Sequence, residues 1–334
     1  MNVAINGFGR IGRTFLRTVL LDPHGSKNLT VVAINLGPSK PDNLDILFAH
    51  DSVMGTFPGT VTLSDDALTI NGVAIKLICQ ADAEKLPWKS LNIDWVVEAS
   101  GHYTTSALAK KHIDAGARKV LITAPCTDED ITIIPGVNDH AYDNKKHTIV
   151  SLGSCTTNCF APAVKVIQEA FGITSGLMTT THAYTNDQVL LDVAHKDPRR
   201  ARAAACNIIP TKTGASKVIT KIFPELEGKL NGTAIRVPVP VVSLIDFTFT
   251  TTKNLSVEAI NQAFAQAAAG SLKNIIHYET KPLVSSDFKG HPASCIFDSL
   301  LTQTTGNMGK IFAWYDNEFG YSCRLKDFLT SQQS

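Results

Sequence analysis

The sequence contains no stretch of about 18 apolar residues that would cross a membrane as a helix. Its opening residues run straight into VAINGFGRIG, without the basic and apolar segments of a secretory signal. A cytoplasmic location is the expectation from those absences. Net charge is almost lacking: 31 Lys and Arg stand against 30 Asp and Glu, a formal balance of +1. Bulk electrostatics therefore imply neither a nucleic acid nor a membrane surface as partner. Cysteine is scarce and scattered, with seven residues at positions 79, 126, 155, 159, 206, 295 and 323. An odd number so spread argues against a disulfide framework and for reduced thiols. What remains is a chain of 334 residues, 44% apolar, with room for two domains and a sizeable core.

The N-terminal segment NVAINGFGRIGRTFLRTVLL reads as a short strand, a glycine turn and a helix that carries Ile11, Phe15, Val19 and Leu20 near one face. Gly7, Gly9 and Gly12 form G-x-G-x-x-G. In a dinucleotide site the first glycine permits the tight turn, the second admits a pyrophosphate, and the third lets helix pack on strand. The helix N-terminus adds N–H groups and a positive dipole. A second strand follows at 30–35, and further strand signals at 95–101 and 119–125 flank a helical stretch rich in Ala and Lys. That alternation implies a largely parallel, doubly wound sheet. An Asp or Glu is expected about 20 residues beyond the glycines, where it would bind the adenosine ribose. Leu36 stands there instead. It cannot accept those hydrogen bonds, and it removes a charge that would repel a 2′-phosphate.

In the second half, SLGSCTTNCF at 151–160 precedes a helix with Phe160, Val164, Ile167 and Phe171 at helical spacing and Gly172 at its end. Cys155 falls at the start of that helix and Cys159 inside it. A helix N-terminus can bring a thiol from about 8.5 to roughly 3.5–7.5, whereas an apolar setting raises it. A structural zinc would need a second Cys or His pair, and none is evident, so no metal is expected. Two cysteines one helical turn apart are poorly placed for a disulfide. Cys155 is the expected nucleophile and Cys159 a small core residue. The segment at 176–187, with Leu177, Thr179 and Thr181 alternating, reads as a strand that leads to His182, which is the expected base. Lys196, Arg199, Arg200 and Arg202 follow, with Arg200 and Arg202 expected on a solvated face. Arg236 sits in an otherwise apolar strand, where an anionic substrate would be a suitable partner. Thr213 and Gly214, in PTKTGASK, offer a second anion contact.

Together these pieces resemble the phosphorylating glyceraldehyde-3-phosphate dehydrogenase family across essentially the whole chain: INGFGRIGR at 5–13, SCTTNC at 154–159, HAYTND at 182–187, HKDPRRARAA at 195–204, TGASK at 213–217, RVPVP at 236–240 and WYDNEFGYS at 314–322. The resemblance implies a Rossmann-type dinucleotide-binding domain at 1–153 and an α+β catalytic domain with a mainly antiparallel sheet at 154–316. A C-terminal helix within 317–334 would pack back on the first domain. It implies that Cys155 attacks glyceraldehyde 3-phosphate with His182 as acid and base, and that inorganic phosphate resolves the resulting thioester. The substrate phosphate would meet Thr185, Asp187, Arg199 and Arg236, and the attacking phosphate Ser154, Thr156, Thr213 and Gly214. For the cofactor, NAD or NADP, it implies Arg10 and Ile11 at the pyrophosphate, Ser100 and Thr123 along the nicotinamide half, and Asn317 at the carboxamide. The family is homotetrameric, with the segment near 183–208 close to a neighbouring subunit's cofactor.

Three departures from the family pattern lie around the adenosine half. Leu36 replaces an aspartate, Gln80 and Ala81 replace Glu-Arg, and Val193 and Ala194 replace Leu-Pro. They lean toward NADP or dual use, with Ser39 or Lys40 as phosphate contacts. Two other readings stand beside this one. An erythrose-4-phosphate dehydrogenase shares the fold, cysteine and histidine but tends to lose the TGASK pattern. A non-catalytic nucleotide-binding scaffold would be expected to have lost Cys155, His182 or Arg236.

Overall fold

A computed structural model of the chain describes residues 1–22 and 26–332. It divides into two compact units: one comprises Met1–Ile133, His140–Gly153 and Ser322–Ser334, the other Ile134–Asp139 and Ser154–Tyr321. The expected C-terminal helix runs Phe319–Ser331, and the last two residues of the 317–334 segment lie outside the described residues.

In the first unit, short β-branched runs pair into one sheet. In spatial order its strands are Ile131–Thr132, Ile149–Ser151, Lys119–Ile122, Trp95–Glu98, Asn2–Asn6, Thr30–Asn35, Val73–Ile78, Ala67–Ile70 and Val61–Leu63. The first seven pair in parallel and the last two join antiparallel. Helices Arg10–Leu21 and Ser106–Asp114 connect successive parallel strands, as a doubly wound sheet requires. Strand order reverses on either side of Asn2–Asn6, so the carboxyl ends of Asn2–Asn6, Thr30–Asn35 and Trp95–Glu98 open on a crevice. Phe328, on the C-terminal helix, meets the rings of Trp95 and Tyr142 edge-on.

The second unit is built on an eight-stranded, mainly antiparallel sheet. Its path is Ile209–Lys212, Leu230–Val237, Ile173–Ala183, Ser243–Thr251, Met308–Tyr315, Cys295–Asp298 and Ile276–Glu279, with Gln303–Thr305 paired to Met308–Tyr315. The helix Cys155–Phe171 lies on this sheet, with Phe160 edge-on to Phe247 at 4.9 Å. Phe160, Val164 and Ile167 are fully buried, but so are Cys159, Ala161 and Ala163 on the remaining faces. The helix is therefore buried almost all round rather than striped. Small residues carry the extra contacts, because a second layer of side chains packs over them.

Strand Ile173–Ala183 forms where a strand leading to His182 is expected, and its burial decides which face turns inward. Its inward set is Met178, Thr180 and His182, all nearly inaccessible, whereas Leu177 is 68% exposed. The alternation through Leu177, Thr179 and Thr181 marks the outer face. With a side-chain period of two, that places His182 on the inner face, toward the start of helix Cys155–Phe171.

Candidate active site and dinucleotide pocket

The glycine turn in the first unit is tightly constrained. Gly7 has φ +90°, and a Cβ there would fall 2.5 Å from both Cα and N of Ser100. A Cβ on Gly12 would press on the carbonyl oxygen of Gly7, while Gly9 faces open space. Helix Arg10–Leu21 starts beyond Gly9 with no side-chain cap and no acidic residue in its first turn. Its N–H groups, with Ile11 among the first, thus suit an anion. A cavity of about 430 Å³ opens here, lined among others by Gly7, Gly9, Leu36, Ala81, Ser100 and His102. These residues fit a dinucleotide: two bare glycines at the helix start, an apolar residue at the ribose position, and a roomy cleft beyond.

Some assigned residues sit differently from expectation. The Arg10 guanidinium pairs with Asp51 at 2.6 Å, so at the helix start it is the Arg10 backbone rather than its side chain that suits an anion. Thr123 donates its hydroxyl to the Glu98 carbonyl at 3.0 Å. Neither Ser39 nor Lys40 lines the cavity. Lys40 instead donates to the carbonyls of Ser64 and Asp65, both at 3.1 Å. Val193 and Ala194 are exposed in the second unit. His102 and Tyr103 line the cavity and were not evident in the sequence, since a residue that follows a strand end carries no periodic signal.

In the second unit Ser154 caps the helix, its Oγ accepting from Thr157 N at 3.1 Å. Cys155 is the first helical residue, and its Sγ lies 3.5 Å from His182 Nε2. His182 is 3% exposed. Its closest partner is the Ala183 carbonyl, 2.6 Å from Nδ1. A carbonyl only accepts, so this contact holds the proton on Nδ1 and turns Nε2 to the thiol as an acceptor. Arg236 Nη1 donates to the same carbonyl at 2.9 Å and to Thr185 Oγ1 at 3.3 Å; its 2.9 Å approach to Nδ1 is then that of two donors sharing the one carbonyl, not a hydrogen bond between them. Arg236 Nε is buried without a partner among the described residues, as befits a donor that waits for an anion.

Electrostatics follow from this burial. Desolvation and then the Arg236 charge push the His182 pKa down from 6.5 to about 3, against the Ala183 hydrogen bond. Cys155 is pushed up, because burial outweighs the lowering by Arg236 and by the Thr156 backbone N–H. The helix-start position alone predicts a depressed thiol. The surroundings reverse that in the free chain and leave a thiol beside a neutral imidazole.

A stability consequence follows. Folded His182 stays neutral to about pH 3, while the unfolded histidine takes a proton near 6.5. The unfolded state then binds more protons between those values, so stability present above that window is lost as pH falls through it. The loss approaches about 1.4 kcal/mol per pH unit. His182→Asn is expected to flatten this slope, read as the difference in urea midpoint between about pH 7 and about pH 5. An unchanged slope would overturn the assignment.

Around this pair the anion residues divide. Of two adjacent arginines, Arg200 rather than Arg199 is drawn inward. Arg200 pairs with Asp187, donates to Thr211 Oγ1 at 2.9 Å and to the Lys212 carbonyl at 3.2 Å, and its side chain is only 18% exposed. Arg199 is exposed, with its backbone N–H on Asp197. Adjacent residues of the turn point opposite ways, so one arginine enters the cluster and the other leaves it. The solvated-face expectation fails for Arg200, whose guanidinium is held by Asp187. The Thr156 hydroxyl bonds Tyr315 Oη at 2.9 Å, and Tyr315 Oη also meets Thr180 Oγ1 at 2.8 Å, with its ring edge-on to His182. Tyr315 was missed because its strand alternates like any other. Thr213 Oγ1 accepts from Ala215 N at 3.3 Å, and Gly214 begins helix Ala215–Ile222 with open space at its Cβ position. Asn317 is buried, its Oδ1 accepting from Ser243 Oγ at 3.2 Å.

None of the seven cysteines is in a disulfide, and Cys159 is fully buried. Among the described residues, no cluster of His, Cys, Asp and Glu would hold a metal ion, and no helix is long and apolar enough to cross a membrane.

Fold and site together define an NAD(P)-dependent dehydrogenase. The family model described as the NAD binding domain of glyceraldehyde 3-phosphate dehydrogenase matches residues 1–106, and that of its C-terminal domain matches 154–317. The chain belongs to the glyceraldehyde 3-phosphate dehydrogenase family. It is 48% identical over 330 residues to glyceraldehyde-3-phosphate dehydrogenase 2 of Streptomyces arenae, covering 99% of this chain and 98% of that one. Identity to glyceraldehyde-3-phosphate dehydrogenase 2 of a Nostoc species is 50% over 329 residues, covering 98% and 97%. Identity to the protein of the same name in Bacillus subtilis is 47% over 330 residues, covering 98% and 96%.

Proposed function

We propose that this protein converts glyceraldehyde 3-phosphate and inorganic phosphate to 1,3-bisphosphoglycerate, with a dinucleotide held by the first unit. The observation that carries the reading is the 3.5 Å approach of Cys155 Sγ to an acceptor-facing His182 Nε2, with Arg236 against His182 and its charge felt by the thiol. His182 takes the thiol proton as sulfur adds to the aldehyde carbon and passes it to the alkoxide oxygen that results, which gives the hemithioacetal and a neutral ring again. It then takes the hydroxyl proton as the carbon gives up hydride, and a thioester remains on Cys155. The bound dinucleotide supplies the hydride acceptor. Phosphate oxygen adds to the thioester carbon, sulfur leaves as thiolate, and the acyl phosphate departs. Arg236, Thr185 and Arg200 hold the substrate phosphate, with Arg200 in the place expected for Arg199 and Asp187 fixing its guanidinium. Ser154, Thr156, Thr213 and Gly214 receive the attacking phosphate. Gly7, Gly9, Arg10, Ile11, Gly12, Ser100, Thr123 and Asn317 bind the dinucleotide. The enzyme works in the cytoplasm as a homotetramer, with 1–153 as dinucleotide domain and 154–316 as catalytic domain.

Leu36 and Ala81 on the pocket wall favour acceptance of NADP at least as well as NAD. Initial rates with each dinucleotide, with and without phosphate, test both halves. Turnover is expected to need phosphate and to proceed with NADP. Phosphate-independent turnover sinks phosphorolysis, and a kcat/KM for NAD far above that for NADP sinks the cofactor reading. Leu36→Asp is expected to shift preference toward NAD by about tenfold, because it brings a carboxylate against a 2′-phosphate.

A further inference from the structure

Beneath the dinucleotide cavity a polar chain crosses four strand ends, and every hydrogen bond in it has a fixed direction. At one end the backbone N–H groups of Gln80 (3.1 Å) and Gly37 (3.4 Å) donate to Asn35 Oδ1. The Asn35 amide must therefore turn Nδ2 to Asn6 Oδ1, at 2.6 Å. Asn6 in turn has only Nδ2 to offer Glu98 Oε2, at 2.5 Å. At the other end the Trp88 indole N–H, a donor only, meets His112 Nδ1 at 3.1 Å. The His112 proton then lies on Nε2 and is donated to Glu98 Oε2 at 3.0 Å. Ser100 N–H donates to Glu98 Oε1 at 2.8 Å, and because Ser100 Oγ accepts from His102 N–H at 3.1 Å, its hydroxyl also turns to Oε1. Four donors converge on one side chain that is 2% exposed. Only an acceptor-only group satisfies them all, which is a carboxylate and not an amide.

Asn6, Gly7, Asn35, Gln80, Ser100 and His102 are all on the cavity wall. Gly7 has no slack against Ser100, since even a Cβ would overlap it. Whatever holds Ser100 therefore sets the separation of the glycine turn from the opposite wall. We propose that Glu98 is a positioning residue for the dinucleotide: it fixes the two walls of the pocket through Asn6 and Ser100 and touches no ligand itself. The proposal rests on the reading of this cavity as the dinucleotide site.

The test compares wild type with Glu98→Gln, Trp88→Phe and the double variant. Direct titration of dinucleotide binding to the wild type checks the underlying reading by itself. Glu98→Gln sets an N–H against two donors whichever way the amide turns. It is expected to raise the dinucleotide KM about tenfold while kcat and the phosphate KM stay within about twofold. Trp88→Phe frees His112 to move its proton to Nδ1, so Nε2 can accept from the introduced amide. The double variant is then expected to bind dinucleotide better than Glu98→Gln alone. If Glu98→Gln does not fold, Glu98→Asp, acceptor-only but one methylene short, is expected to show the same selective rise in KM. A dinucleotide KM unchanged within about twofold, an equal change in all three constants, or a double variant no better than the single would overturn the proposal.

Discussion

Cys155→Ser is expected to lower turnover by about ten-thousandfold or more, with dinucleotide affinity within about twofold of wild type. The substitution keeps the size of the side chain and its place as first residue of the helix Cys155–Phe171. What it removes is a sulfur that ionises far more readily than a hydroxyl and leaves far better when phosphate attacks the acyl group. Burial already raises the thiol, with only Arg236 and the Thr156 donors opposing that rise. A serine hydroxyl in the same surroundings starts several units higher still. The measurement is kcat with saturating aldehyde, dinucleotide and phosphate, beside a fluorescence titration of dinucleotide. Residual activity within about a hundredfold of wild type would show that another group carries the attack.

His182→Asn is the second large effect, an expected loss of about a hundredfold to ten-thousandfold in kcat. Asparagine can still offer hydrogen bonds near Sγ but cannot take a proton. His182 is suited to take one: Nδ1 is tied to the Ala183 carbonyl, Nε2 faces the thiol, and burial with the Arg236 charge keeps the ring neutral. The loss should also appear in the first half-reaction alone, as slower alkylation of Cys155 by iodoacetamide at neutral pH. Equal alkylation rates in wild type and variant would exclude His182 as the base. Arg236 acts on both partners in the same sense, favouring thiolate and disfavouring imidazolium. For transfer of the thiol proton to His182 the two effects oppose each other, so the Arg236 charge lowers both pKa values without driving that transfer by itself.

Much of this site was legible in the chain. The glycine spacing, the thiol at a helix start and the histidine 27 residues later, 182 minus 155, are local signals, and local signals survive in one dimension. The family motifs around them gave the reaction. Other features were left open or misread for definable reasons. The strand toward His182 alternates, but alternation does not say which set faces in; only the packing of Met178 and Thr180 against the core does. Arg199 and Arg200 are chemically identical neighbours, and the turn that sends one inward to Asp187 has no sequence signature beyond the pair itself. The thiol was expected to be acidified by the helix start, whereas its enclosure acts the other way.

The sequence alone determined which chemical groups are present: a glycine turn before a helix, a thiol at a helix start, a histidine at a strand end and cationic residues near both, because each depends on residue type and short spacing. Tertiary structure decided which arginine turns inward, where the His182 proton rests, why Tyr315 stands between Thr156 and Thr180, and that Glu98 gathers donors from distant strands. Those choices hang on desolvation and on hydrogen-bond direction between residues far apart in the chain. Neither quantity exists until the chain has folded.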